Sequence, residues 1–68
     1  MCCILYIPAG VQTPIMATLY AVYKANRHGI GLADSDGNTC HTLSFNHFAK
    51  AIQKRHIDAQ CIIHFRLA

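Results

Sequence analysis

The start of the chain carries the side chain best suited to covalent chemistry. Met1 precedes Cys2, and methionine before a small residue is normally removed, which would leave a cysteine with both a thiol and a free α-amine. Because an α-amine has a pKa of about 8, it can act as the base for the thiol, so one residue could supply nucleophile and base. The alternative is that Cys2 and Cys3 are simply small apolar residues of a buried strand.

Metal binding is the second chemistry to consider, because the chain has four cysteines and five histidines. No C-x₂-C or H-x₃-H spacing supports a structural zinc site, so we expect no metal and no cofactor. The segment from Asp34 to Asn38 is similar to a calcium loop, but its glycine comes too early and the closing glutamate is absent. A hairpin turn is the better interpretation.

Length and composition indicate one small domain, residues 1–68, since 68 residues with 53% apolar content fold around a single core. No apolar run reaches the roughly 18 residues of a membrane helix, and a signal peptide is not evident, so we expect a cytoplasmic protein with reduced thiols and no membrane contact. The net charge of +3 is dispersed apart from Lys54-Arg55-His56. This is not the charge pattern of a nucleic-acid-binding protein.

Apolar periodicity and turn formers predict the element order βαββαβ. Strands are expected at 2–7, 29–33, 39–43 and 59–68. One helix is expected to begin at Thr13-Pro14, with Ile15 in its apolar stripe, and a second to begin at Ser44. The order favours an α+β two-layer sandwich, in which a four-stranded, mainly antiparallel sheet carries two helices on one face; a ferredoxin-like sandwich shares this order.

Strand alternation divides the sheet residues between two faces. If the helices cover the side chains of Cys61, Ile63 and Phe65, the period of two sends a second set to the other face. That set is Cys2, Ile4, Tyr6, Ile62, His64 and Arg66. A face that exposes Ile4, Tyr6 and Ile62 is more apolar than soluble monomers usually tolerate, so we expect an interface there, with a second copy in a homodimer or with a host protein.

Three motifs stand in the order Met1-Cys2-Cys3-Ile4, Asn26-Arg27-His28-Gly29-Ile30-Gly31 and His64-Phe65-Arg66-Leu67-Ala68. They resemble the Met-Cys-x-Ile strand, the Asn-x-(Asp/His)-Gly-x-Gly turn and the His-x-Arg-x-Ala strand of class II glutamine amidotransferases, which are N-terminal-nucleophile hydrolases. Their order and spacing are similar to those of the short amidotransferase-like proteins met in phage genomes.

The resemblance implies a role for each motif. Cys2 would be the nucleophile, and Arg66 would bind the α-carboxylate of glutamine through two parallel hydrogen bonds. The glycines would let the hairpin backbone pass close to the site. The substrate-binding candidates are Arg66, His64, Gly29, Gly31 and Asn26.

The family continues after its third motif with an Asn-Gly pair that forms the oxyanion hole and with a second sheet, and residues 1–68 contain neither. Because losing one oxyanion donor costs about 10²–10³ in rate, we expect the chain alone to hydrolyse glutamine poorly. The preferred interpretation is a small intracellular binding or inhibitor protein, of a kind that phages encode, on a catalytically incomplete amidotransferase-like half domain.

Two alternatives stay open. The first is a glutamine amidotransferase or glutaminase whose Cys2 site is completed by dimerisation or by a partner. The second is a module that sequesters a small anionic ligand near Arg66, His64 and Gly29.

Overall fold

A computed structural model describes residues 2–67 as a four-stranded sheet with two helices on one face. The strands are β1 (Cys3–Ile7), β2 (Ile30–Asp34), β3 (Thr39–Thr42) and β4 (Cys61–Phe65), and the helices are α1 (Met16–Ala25) and α2 (Phe45–Ile52). The predicted α+β sandwich with the order βαββαβ is therefore confirmed. Two residues of the amidotransferase-like motifs, Met1 and Ala68, lie outside the described residues.

The strands are ordered β1-β4-β2-β3, and every neighbouring pair is antiparallel. This order differs from that of a ferredoxin-like sandwich, which has its first and third strands at the centre. Here the second and fourth strands are central. The last strand of the chain therefore joins β1 to the β2–β3 hairpin, and the sheet is complete only when β4 has paired on both sides.

The core lies between the sheet and the helices. In β4, Cys61, Ile63 and Phe65 are at most 1% exposed, whereas the residues between them face solvent. The rings of Phe48 and Phe65 meet edge to face with their centroids 5.6 Å apart, which anchors α2 on the central strand. The remaining core side chains are Ile7, Leu19, Ile30, Leu32 and Ile52.

Helix α2 begins as its sequence predicts. The Ser44 hydroxyl oxygen accepts a hydrogen bond of 3.2 Å from the His47 amide and so satisfies a donor of the first turn. The helix ends at Ile52.

The predicted start of α1 is wrong. Thr13 does not cap the helix, which begins at Met16 without a side-chain cap. The Thr13 hydroxyl instead accepts a hydrogen bond of 3.1 Å from Arg55. Ile15 was predicted in the apolar stripe, but it precedes the helix and is 71% exposed.

Arg55 ties together the connections that flank both helices. Its guanidinium donates five hydrogen bonds of 2.9–3.2 Å, one to the Thr13 hydroxyl and four to carbonyl oxygens. These carbonyls belong to Pro8, Val11, Ile57 and Ala59. The β1–α1 connection is thereby held against the α2–β4 connection.

Replacement of Arg55 should test this role. Arg55→Lys keeps the charge but loses the planar fork of donors, so we expect it to lower the free energy of unfolding by about 2 kcal/mol, nearly as much as Arg55→Ala. Urea denaturation followed by circular dichroism measures the change. The neighbouring Lys54→Ala is the control and should stay within about 0.5 kcal/mol of wild type. A similarly small effect of Arg55→Ala would contradict the assignment.

Candidate functional site

The sheet face opposite the helices is called the open face here. Because side chains alternate along each strand, the residues between the core positions point away from the helices. The open face consists of Ile4 and Tyr6 of β1, Ile62 and His64 of β4, Gly31 and Ala33 of β2, and Thr39 and His41 of β3.

The strand register arranges the open face in two rows. One row runs across the sheet through Ile4, His64, Gly31 and His41. The next row runs through Tyr6, Ile62, Ala33 and Thr39. The β2 residues are the smallest in both rows, so the middle of the face is a shallow trough between β4 and β3.

The three predicted interface residues lie together on this face. Tyr6 pairs directly with Ile62 across β1 and β4, and Ile4 is two residues away along β1, on the same face. Their exposed fractions are 67% for Ile4, 57% for Tyr6 and 52% for Ile62. The Tyr6 hydroxyl donates a 3.2 Å hydrogen bond to the side-chain oxygen of Gln60, which holds the ring at the rim of the patch.

The predicted catalytic and carboxylate-binding residues meet at one end of the face. Cys3 pairs with Phe65, and continuing this register by one residue sets Cys2 opposite Arg66. On the other side of β4, the Arg66 amide donates a 2.8 Å hydrogen bond to the Gly29 carbonyl oxygen. The fold therefore brings the ends of the three motifs together, with Cys2 and Arg66 exposed to solvent.

The two glycines of the middle motif, Gly29 and Gly31, are needed for different structural reasons. Gly29 has a φ of +147°, a backbone conformation that residues other than glycine rarely adopt. At Gly31, a Cβ would lie 3.8 Å from Cδ2 of His41 and 4.0 Å from Cβ of His64. Gly31 therefore leaves open a space that a side chain would fill between these two histidines.

Asn26, the remaining substrate-binding candidate, is engaged in ending α1. Its backbone amide donates to the Tyr23 carbonyl oxygen at 3.0 Å, and its side-chain amide donates to the Val22 carbonyl oxygen at 3.1 Å. These bonds satisfy carbonyls of the last helical turn. The sequence pattern did not distinguish this capping role from a role in substrate binding.

The segment from Asp34 to Asn38 forms the turn of the β2–β3 hairpin, as predicted. The Asp34 carboxylate accepts hydrogen bonds from the amides of Asp36 (2.9 Å) and Asn38 (3.0 Å) and from the Asn38 side chain (2.9 Å). Burial acts to raise the pKa of Asp34, but these hydrogen bonds and the charge of Arg55 outweigh it and hold the pKa below its ordinary value.

The cysteines and histidines of residues 2–67 do not assemble into a cluster of three or more metal-ligating groups. The four cysteines are free thiols, and only Cys61 among them is fully buried. Burial raises the pKa of the Cys61 thiol, which makes it a poor nucleophile. Exposed Cys2 is therefore the better candidate for covalent chemistry.

Three clefts indent the described part of the chain. One of 270 Å³ lies on the open face beside Tyr6 and Ile62, a second of 270 Å³ lies between β3 and α2, and a third of 410 Å³ lies beside Ile15 and Arg55. Neither Cys2 nor Arg66 lines any of the three. No helix within residues 2–67 is long and apolar enough to cross a membrane.

Comparison of the chain with protein-family models, curated proteins and solved structures gave no match. The amidotransferase-like motifs and the geometry of the described residues therefore supply the grounds for a functional proposal.

The Asp34 turn predicts a defined pH dependence. Because folding lowers the pKa of Asp34 below its ordinary 3.8, its contribution to stability is complete above that pH and is lost as the pH falls through the folded value. Asp34→Asn should lower the free energy of unfolding by about 1 kcal/mol at pH 7 and flatten the stability profile below about pH 4. Urea denaturation at several pH values measures both effects.

The exposed neighbour Asp36 provides the matched control. Asp36→Asn should leave both the stability at pH 7 and the acid slope close to those of wild type. If Asp34→Asn retains the full acid slope of wild type, the turn does not hold this carboxylate in its ionised form.

Proposed function

We propose that this chain is a small binding protein that associates through its open face, and that a second copy of the chain occupies that face first. The observation that carries the proposal is the contiguous cluster of Ile4, Tyr6 and Ile62, each more than half exposed. Covering such a cluster removes apolar surface from water at a gain of about 25 cal/mol per Å².

The arrangement of the rows favours a second copy. A two-fold axis along the row of Ile4 and His64 would stack the Arg66 end of one copy over the row of Tyr6 and Ile62 in the other. The two Arg66 charges would then stay apart, and each guanidinium could lie over a tyrosine ring.

The size of the open face determines how strong a dimer is expected. Four strands about 4.8 Å apart and five residues long cover roughly 19 by 17 Å, or about 300 Å² of flat area. Standard interfaces bury about 800 Å² on each partner. We therefore expect a weak, concentration-dependent dimer, whose face remains available to a partner protein with a larger complementary surface.

The amidotransferase resemblance supports the same role. In that family a second sheet covers the face that holds the nucleophile strand, and here a second copy would supply it. The chain would then act as a binding or inhibitor protein on an amidotransferase-like half domain.

Charged substitutions in the cluster should separate the copies. Ile4→Asp should weaken self-association at least about tenfold, because the two-fold axis brings residue 4 of both copies together and would bury two aspartates side by side. Sedimentation equilibrium across about 10 µM to 1 mM protein measures the dissociation constant of the dimer. Ile15→Asp is the matched control, since Ile15 is also exposed but precedes α1 away from the open face.

Two results would contradict the proposed dimer. One is a wild-type chain that stays monomeric throughout this range, and the other is an equal loss of association in Ile15→Asp. If a monomeric wild-type chain retains a partner protein that Tyr6→Asp loses, the face is a contact with another protein and the second-copy assignment is wrong.

One observation favours an enzyme as the second candidate, namely that the register sets Cys2 opposite Arg66. In such an enzyme the Cys2 thiol would give its proton to the free α-amine of Cys2, and the sulfur would attack the amide carbon of glutamine while Arg66 holds the α-carboxylate. The C–N bond would then break, the proton would leave with the amine as ammonia, and water would hydrolyse the thioester to glutamate and the free thiol.

An electrophilic glutamine analogue tests this candidate. An active site should bind the analogue covalently at Cys2, and Arg66→Gln should slow that labelling at least about tenfold while leaving the reaction with iodoacetamide unchanged. Intact-mass spectrometry reads both reactions and also shows whether Met1 has been removed. Equal labelling of wild type and Arg66→Gln by the analogue would exclude carboxylate recognition by Arg66.

A further inference from the structure

A second surface feature is the cleft of 270 Å³ between β3 and α2, at the edge of the sheet. It is separate from the open face, because half-buried Cys40 points to the helix side of β3 and packs against the core. The lining residues are Asn38, Thr39, Cys40, His47, Lys50, Ala51 and Lys54.

The cleft is positively charged on one side. Lys50 and Lys54 are four residues apart along α2 and the turn that follows, and His47 is three residues before Lys50, so the three side chains share one side of the helix. The lining includes no acidic side chain. Within residues 2–67, neither lysine forms an ion pair.

Two other cations of the chain are already engaged. Arg55 donates to backbone carbonyls, and the Lys24 ammonium lies 5.5 Å from the centre of the Tyr20 ring. The Asp34 carboxylate of the hairpin accepts hydrogen bonds from Asn38 and lines the cleft on the open face instead. The two cleft lysines are thus left without a counter-charge.

The end of α2 does not cancel this positive charge. The carbonyl groups at a helix end carry partial negative charge, which would repel an anion. Here the Ala49 carbonyl oxygen accepts a hydrogen bond from the Gln53 amide, and the Ala51 carbonyl oxygen accepts one from the Lys54 amide, both at 3.2 Å. The turn after α2 therefore covers the carbonyls nearest the cleft.

We infer that this cleft binds a small phosphomonoester. The ammonium groups of Lys50 and Lys54 hold the phosphoryl group as point charges. Cys40 and Ala51 give the organic part an apolar wall. The volume is just below the roughly 300–1,000 Å³ of pockets for drug-sized ligands, so the cleft suits a compound of a few carbon atoms and not a nucleotide.

Titration with glycerol 3-phosphate, followed by ¹H–¹⁵N correlation spectra at constant ionic strength, tests the inference. We expect saturable shifts centred on Thr39, Cys40 and Lys50. Lys50→Gln and Lys54→Gln should each raise the Kd about fivefold. Lys24→Gln removes the same charge outside the cleft and should leave the Kd unchanged, and the spectra themselves show that each variant is folded.

Three results would overturn the inference. Shifts that do not saturate, or an equal loss of binding in Lys24→Gln, would indicate general attraction to a basic protein. A Kd for inorganic phosphate as low as that for glycerol 3-phosphate would remove the role of the organic part. Because the cleft is separate from the open face, Tyr6→Asp should bind glycerol 3-phosphate as wild type does.

Discussion

The alternation of side chains along β4 is the constraint on which both surfaces of this protein depend. Because β4 is a central strand, its inward residues Cys61, Ile63 and Phe65 form the middle of the core, and its outward residues form the middle of the open face. A shift of one residue would exchange the two sets. The packing of Phe65 against Phe48 in α2 helps to set this register, and it thereby determines that Ile62 lies beside Tyr6 and that Arg66 lies opposite Cys2.

Much of this arrangement could be predicted from local patterns. The period of two in β4, the Ser44 cap and the turn formers around Gly37 each report a local physical preference, and these preferences agree with the fold. The failed start of α1 has a different origin, because a tertiary partner outweighs the local signal there. Thr13 has the residue type of a helix cap but contacts Arg55, and the Arg55 network could not be foreseen because its other acceptors are backbone carbonyls.

The candidate site likewise contains residues whose placement follows from the sequence pattern and residues whose placement does not. The alternation correctly grouped Ile4, Tyr6 and Ile62, because strand pairing needs only the register once the core face is known. The capping role of Asn26 was not foreseen, since nothing in its motif reveals that its side chain bonds to Val22. The cleft beside α2 went unnoticed because Lys50 and Lys54 look like an ordinary solvated helix face until β3 is placed against them.

The central claim is that the open face is a contact surface, and solvent accessibility measured in solution tests it most directly. In an NMR experiment on a methyl-labelled sample, a soluble paramagnetic agent increases the relaxation rate of methyl groups that are exposed to solvent. Ile4, Ile15 and Ile62 are all more than half exposed in the single chain. The account predicts that relaxation of the Ile4 and Ile62 methyl groups falls as protein concentration rises, whereas that of Ile15 stays constant. Equal relaxation of all three at every concentration, in a sample whose sedimentation shows dimers, would contradict it.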